Sequence, residues 1–175
     1  KKRIDILRTK AERFRDTSIE RYNMNVQLYQ EYQPYICDSA IAYLHRNLEI
    51  ANRLGDNYRL CETSITLSYL LSSAGMYMES ADLLSVMDPR EIPEVLVPDY
   101  YDSCDHLYGE AAFYSQDPIS SRKYRELSNL YKDSLYLVLP DNSSEVMVLR
   151  QTHLRDICRY EQSLAINVML LEELQ

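Results

Sequence analysis

A chain of 175 residues, 46% of them hydrophobic, is long and apolar enough to bury a core, which excludes a disordered polypeptide. Three glycines and six prolines are too few for a barrel or sandwich of many short strands, so long helices with few connections are expected. A formal charge of -8 repels a phosphate backbone and argues against direct nucleic-acid binding.

Residues 2–15, "KRIDILRTKAERFR", form a first basic amphipathic helix whose charges read as a solvated face. Ser18 offers a hydroxyl as N-cap, and the helix that follows stops near Pro34. Between Ile36 and Leu54 the apolar positions Ile36, Ala40, Tyr43, Leu44, Leu48 and Ala51 step by threes and fours, and Gly55 closes the segment. Asp56 or Asn57 caps the next helix, which runs to Ala74 and stops at Gly75. Gly75 permits the left-handed turn that reverses the chain, and the small pair Ser80-Ala81 lets the returning helix come close. Pro89, Pro93 and Pro98 forbid a continuous helix, so residues 88–98 are expected to be an extended connector, with a new helix from Pro98 or Asp99. A second connector, "PDNSS" at 140–144, holds Asn142-Ser143-Ser144, which matches a glycosylation sequon but reads better as helix capping.

Ser39, Ser80 and Ser121 follow one another at intervals of 41 residues, each preceding an apolar helical run, and Ser163 falls one residue beyond the next step. A period near forty with two helices per unit signals an all-α solenoid of antiparallel helix pairs, about 8–9 helices in all. The expected units are 17–55, 56–88, 98–139 and 143–175, in a single domain over 1–175.

"LSYLLSSAGMYMESADLL" resembles the tetratricopeptide (TPR) pattern: Leu67, Ser68 and Leu71 on the first helix, Gly75 and Tyr77 at the turn, and Glu79-Ser80-Ala81 with Leu84 on the second. "DSAIAYLHRNLEIANRLGD" is similar to a TPR second helix. The pattern departs at Ser64 and Ile65, where a bulky aromatic is usual, and at Asn47 and Met87, where a small alanine is usual. The segments "KKRIDILRTK", "RYNMNVQLYQEYQPYICDSAIAYL" and "LYGEAAFYSQD" are also similar to the sensor portion of TPR-containing regulators of Bacteroidetes-type bacteria. That resemblance implies a signalling and transcription-regulation context. A signal peptide would precede the repeats, a membrane helix and a cytoplasmic regulatory region would follow, and the repeats would lie on the periplasmic side. A cytoplasmic location is the alternative.

No apolar run reaches the roughly 18 residues of a membrane span. The chain opens on Lys1 and ends at Gln175 within an apolar helical pattern, so a piece of a longer protein is expected. Cys37, Cys61, Cys104 and Cys158 form no Cys-x-x-Cys pair and read as buried free thiols. His45, His106 and His153 lie far apart, and no metalloprotease, nucleophile-elbow or phosphate-loop motif is present. Asp99, Asp102 and Asp105, with His106 and Glu110, could fall along one side of a helix as a cation site. The simpler reading is a set of acids favoured by the positive end of the helix dipole. No enzyme activity, cofactor or metal is therefore expected.

Among the 16 tyrosines, most are expected half-buried between helices, with some lining a groove. Projecting the repeat onto a concave face built by first helices selects Tyr22, Asn25, Tyr29 and Tyr32, then Glu62, Ile65, Tyr69 and Ser72, then His106, Glu110, Phe113 and Tyr114. The expectation is a protein- or peptide-binding module with a basic or amphipathic partner. The alternative is a structural or oligomerisation segment, self-associating through the apolar positions of 164–174.

Overall fold

The computed structural model describes residues 2–15 and 17–139, and beyond them 147, 148, 151, 161, 162, 164–166 and 168. Two compact units divide the chain, residues 1–132 and 133–175, and the architecture below is that of the first. The "PDNSS" connector, Cys158, His153 and most of the 164–174 stripe fall outside the described residues.

The described elements are helical throughout: α1 (Lys2–Ala11), α2 (Ile19–Tyr32), α3 (Cys37–Leu54), α4 (Asn57–Ser73), α5 (Tyr77–Ser85), α6 (Val97–Tyr114) and α7 (Pro118–Val138), with one 3-10 turn at Glu94–Leu96. This is an all-α, TPR-like arrangement of antiparallel helix pairs. Among the described residues no helix is long and apolar enough to cross a membrane. The first helix is shorter than expected: α1 ends at Ala11, and a turn over Glu12–Phe14 leads to the Ser18 cap.

The ends of the helices follow from local chemistry. Ser18 and Asp56 accept the backbone N–H groups of Arg21 and Arg59 with their side chains, each at 3.0–3.1 Å. Gly55 and Gly75 carry φ of 65° and 81°, a region that costs an L-residue strain, so glycine ends α3 and turns the chain after α4.

Pairing is set by small or hydrogen-bonding residues at the helix crossings. Ser68 of α4 and Ser80 of α5 are both fully buried, with hydroxyl oxygens 2.7 Å apart, and Ser80 also lies 2.9 Å from the Ser68 carbonyl. A bulkier side chain at Ser80 would hold the two helices apart. In α2–α3 the crossing uses Asn47, where the TPR pattern expects alanine. Its Oδ1 accepts from Asn25 Nδ2 at 2.9 Å, and its Nδ2 donates to the Tyr22 carbonyl at 3.2 Å. The departure from the pattern is thus a buried polar pair joining two helices. In α6–α7, Asp105 accepts from Ser128 while Ser121 donates to the Ala112 carbonyl, so α7 runs back along α6.

Two main apolar cores result. Leu7 and Ala11 of α1 pack with Leu28, Leu44, Leu67 and Leu71 of α2–α4; Ile65, Leu84, Ile92, Leu96, Cys104 and Leu107 form the other. Full burial of a leucine such as Leu28 or Leu67 contributes roughly 1.5–3 kcal/mol. Residues 88–98 are more structured than an extended connector. Ile92 and Leu96 anchor the segment in the second core, the 3-10 turn follows Pro93, and α6 starts at Val97 with Pro98 in its first turn, where a missing N–H costs nothing.

Candidate functional site

The first helices of the three pairs, α2, α4 and α6, line one cleft of about 410 Å3. Its walls are Tyr29 of α2 and the cap residue Gln33; Tyr58, Glu62, Ile65, Thr66, Tyr69 and Leu70 of α4; Val95 and Leu96 of the 3-10 turn; and Asp99, Asp102 and Ser103 of α6. The α4 positions fall on one helical stripe, spaced by three and four, which is why a single helix supplies the floor. Val95 is exposed, whereas Leu96 and Ile65 are buried, so an apolar base meets a polar rim.

Each polar wall is positioned by a neighbour. Glu62 accepts a hydrogen bond from the Tyr22 hydroxyl at 3.2 Å, and that hydroxyl also lies 2.8 Å from Thr63 Oγ1. Burial pushes the Tyr22 phenol up to about 12, so it stays protonated and able to donate. Tyr69 stacks on His106 with ring centroids 4.0 Å apart and planes 11° from parallel. His106 Nε2 is 2.9 Å from Ser73 Oγ, which fixes the imidazole and, through it, the phenol. Tyr29 and Tyr69 are raised by burial, Tyr69 also by the nearby carboxylates of Asp102 and Glu110.

The electrostatics of the cleft are negative. Burial raises the Asp99 carboxyl above its ordinary value. Asp102 is raised by burial first and then by repulsion from Asp105 and Asp99, partly offset by His106. Asp105 turns away, accepting from Ser128 and lying 3.9 Å from Lys132 Nζ, so the three aspartates do not converge. Among the described residues no group of three or more histidine, cysteine or acidic side chains is placed to hold a metal ion.

Of the twelve residues selected from sequence, Tyr29, Glu62, Ile65 and Tyr69 line the cleft, and His106 backs Tyr69. Tyr22, Asn25, Tyr32 and Ser72 are instead buried between helices. Tyr22 and Asn25 lie on the flank of α2 that packs on α3 and α4, where they bond Thr63 and Asn47; Tyr32 stacks on Tyr43 at 5.7 Å. Ser72, a turn beyond Tyr69 on α4, lies past the cleft and donates to the Tyr69 carbonyl. Glu110, Phe113 and Tyr114 lie toward the far end of α6, outside the cleft, and Tyr114 belongs to a separate hollow with Tyr77, Tyr108 and Tyr124. Sequence reasoning missed Gln33, Tyr58, Asp99 and Asp102. The signal for the aspartates was present, because 99, 102 and 106 share one stripe of α6, but the stripe meets α4 earlier in α6 than the sequence projection placed it.

Of the cysteines, Cys104 is buried and its thiol is pushed up to about 12 by desolvation. Cys37 and Cys61 are only half-buried, a correction to four buried thiols; the former opens α3 and the latter lines a hollow between α3, α4 and α5.

The model of a family described as the SusR N-terminal TPR domain matches residues 1–175. The chain belongs to that family. No curated protein and no solved structure matches it. A SusR N-terminal TPR domain is a protein-interaction fold, and the cleft on its first helices brings aromatic rings together with carboxylates. Four tyrosines outside the cleft serve the packing of the domain: Tyr101, Tyr108, Tyr124 and Tyr131 form a ladder between α6 and α7, with Tyr108 and Tyr131 stacked at 5.6 Å.

Proposed function

We propose that this domain is the sensor part of a bacterial regulatory protein and captures a basic segment of a peptide or protein partner in the cleft of α2, α4 and α6. The observation that carries the reading is the joining of Glu62, Asp99 and Asp102 with Tyr29, Tyr58 and Tyr69 in one cleft. Lysine and arginine complement that lining twice, through the carboxylates and through the ring faces. A peptide array of varied charge, probed with the labelled chain, tests it. Lysine- and arginine-bearing peptides should be retained and glutamate-rich ones not. Tyr29→Ala with Tyr69→Ala should abolish retention while helicity is kept. Equal retention by the double variant would remove the cleft from the reading.

Self-association is the second reading, favoured by Leu164 and Val168, which are 63% and 49% exposed. Sedimentation velocity across concentration tests it, and a monomer throughout would discard it.

A further inference from the structure

A separate cleft of about 420 Å3 lies on the α2–α3 pair, lined by Arg21, Asn25, Arg46, Glu49, Ile50 and Arg53. In a chain of formal charge -8 it gathers three guanidinium groups against one carboxylate. Arg21 Nη1 donates to the Ala11 carbonyl at the end of α1, and Arg46 lies over the Tyr43 ring, 5.0 Å from its centroid. The Ala11 bond holds Arg21 as a positive charge on the cleft wall, and the ring contact holds Arg46 there with its N–H groups left for a ligand, because a guanidinium carries five donors.

Asn25 supplies the second observation. It is 1% exposed, and its Oδ1 has no hydrogen-bond partner. The amide cannot be turned round to cure this. Asn47 Nδ2 donates to the Tyr22 carbonyl, so Asn47 Oδ1 must accept, and Asn25 must offer it Nδ2. Asn25 is left with an acceptor and no donor at a cleft lined by cations. A buried amide oxygen costs stability unless something supplies a proton.

We propose that this cleft binds hydrogenphosphate. Guanidinium groups are the preferred partners of phosphate oxygens. The anion's remaining hydroxyl is the donor that Asn25 Oδ1 lacks. Sulfate has the same shape and charge but no proton to give, so it would leave Asn25 Oδ1 unpaired, while Glu49 opposes both anions alike.

Isothermal titration of the 175-residue chain at about pH 8 and constant ionic strength tests the assignment, using sodium phosphate, sodium sulfate and methyl phosphate. Methyl phosphate is a dianion there, without an acidic proton, since the second pKa of a phosphomonoester is about 6. Saturable phosphate binding is expected, with sulfate and methyl phosphate weaker by about tenfold or more, a difference of roughly one hydrogen bond. Arg46→Gln and Arg53→Gln, both on exposed side chains, should each weaken phosphate by about tenfold, while Arg90→Gln on the connector should not. Absence of saturable binding overturns the proposal, as do equal affinities for phosphate and sulfate. Arginine variants that bind like the parent chain also overturn it.

Discussion

Asp102 shows how a single side chain in the cleft trades stability for charge. Its carboxyl is raised in the fold by burial and by Asp105 and Asp99, so the folded chain holds this proton more tightly than the unfolded chain does. Between the unfolded carboxylate value, about 3.9, and the higher folded value, the folded state binds more protons. Stability from this group is therefore complete below the unfolded value and is lost as pH rises through the folded one. At neutral pH the ionised Asp102 is a net cost. Asp102→Asn should raise the thermal midpoint at pH near 7, and the gain should shrink to nothing near pH 3; a gain of equal size at both would show that the change acts through packing. A residue that destabilises its own fold yet stays on a cleft wall is better suited to meeting a cation than to holding helices together. Asn47 is the opposite case, a buried polar group whose partners Asn25 and Tyr22 join α2 to α3.

Glycine separates the elements that turn from those that merely pass. Gly75 sits at φ 81° with no atom within 4 Å of where a Cβ would stand, so alanine there is resisted by the backbone alone, at about 1–2 kcal/mol. Gly109 lies inside α6, where a Cβ would meet only Ser128 Oγ at 3.7 Å, an ordinary contact. Alanine there should stabilise α6 by about 0.5–1 kcal/mol through helix propensity. Urea unfolding of Gly75→Ala and Gly109→Ala should therefore move in opposite directions, and a shared direction would contradict these roles for the two glycines. These elements were legible in the sequence because caps, glycines and threefold-fourfold spacing are local signals. Ser18, Asp56, Gly55 and Gly75 end helices where they were expected to. The cleft was only half legible, since periodicity gives a stripe but not the stretch of it that meets the next helix. On α2 the stripe turns inward before Tyr29, and on α6 it reaches the cleft at Asp99 rather than Glu110. The fold of 88–98 was also hidden, because three prolines forbid a helix but do not say that Ile92 and Leu96 will be buried.

On the scale of the whole chain, a charge of -8 would act on the basic partner proposed above before any contact forms. Exposed acids outside the cleft, such as Glu79 and Asp82 of α5, add to the attracting field without touching the ligand. In the proposed complex Asp99 and Asp102 would both attract and touch it. Distant charges govern the association rate and its salt dependence, whereas groups in contact govern dissociation. Surface plasmon resonance with a lysine-bearing peptide retained on the array separates the two. Raising salt from about 0.1 M to about 1 M shortens the screening length from about 10 Å to about 3 Å and should slow association markedly. Glu79→Gln with Asp82→Asn should reduce the association rate at low salt and leave dissociation unchanged. Asp99→Asn with Asp102→Asn should speed dissociation at both salt concentrations, because a contact within the screening length survives added salt. If both double variants altered association alone, the carboxylates of α6 would be part of the general field and the partner would dock elsewhere.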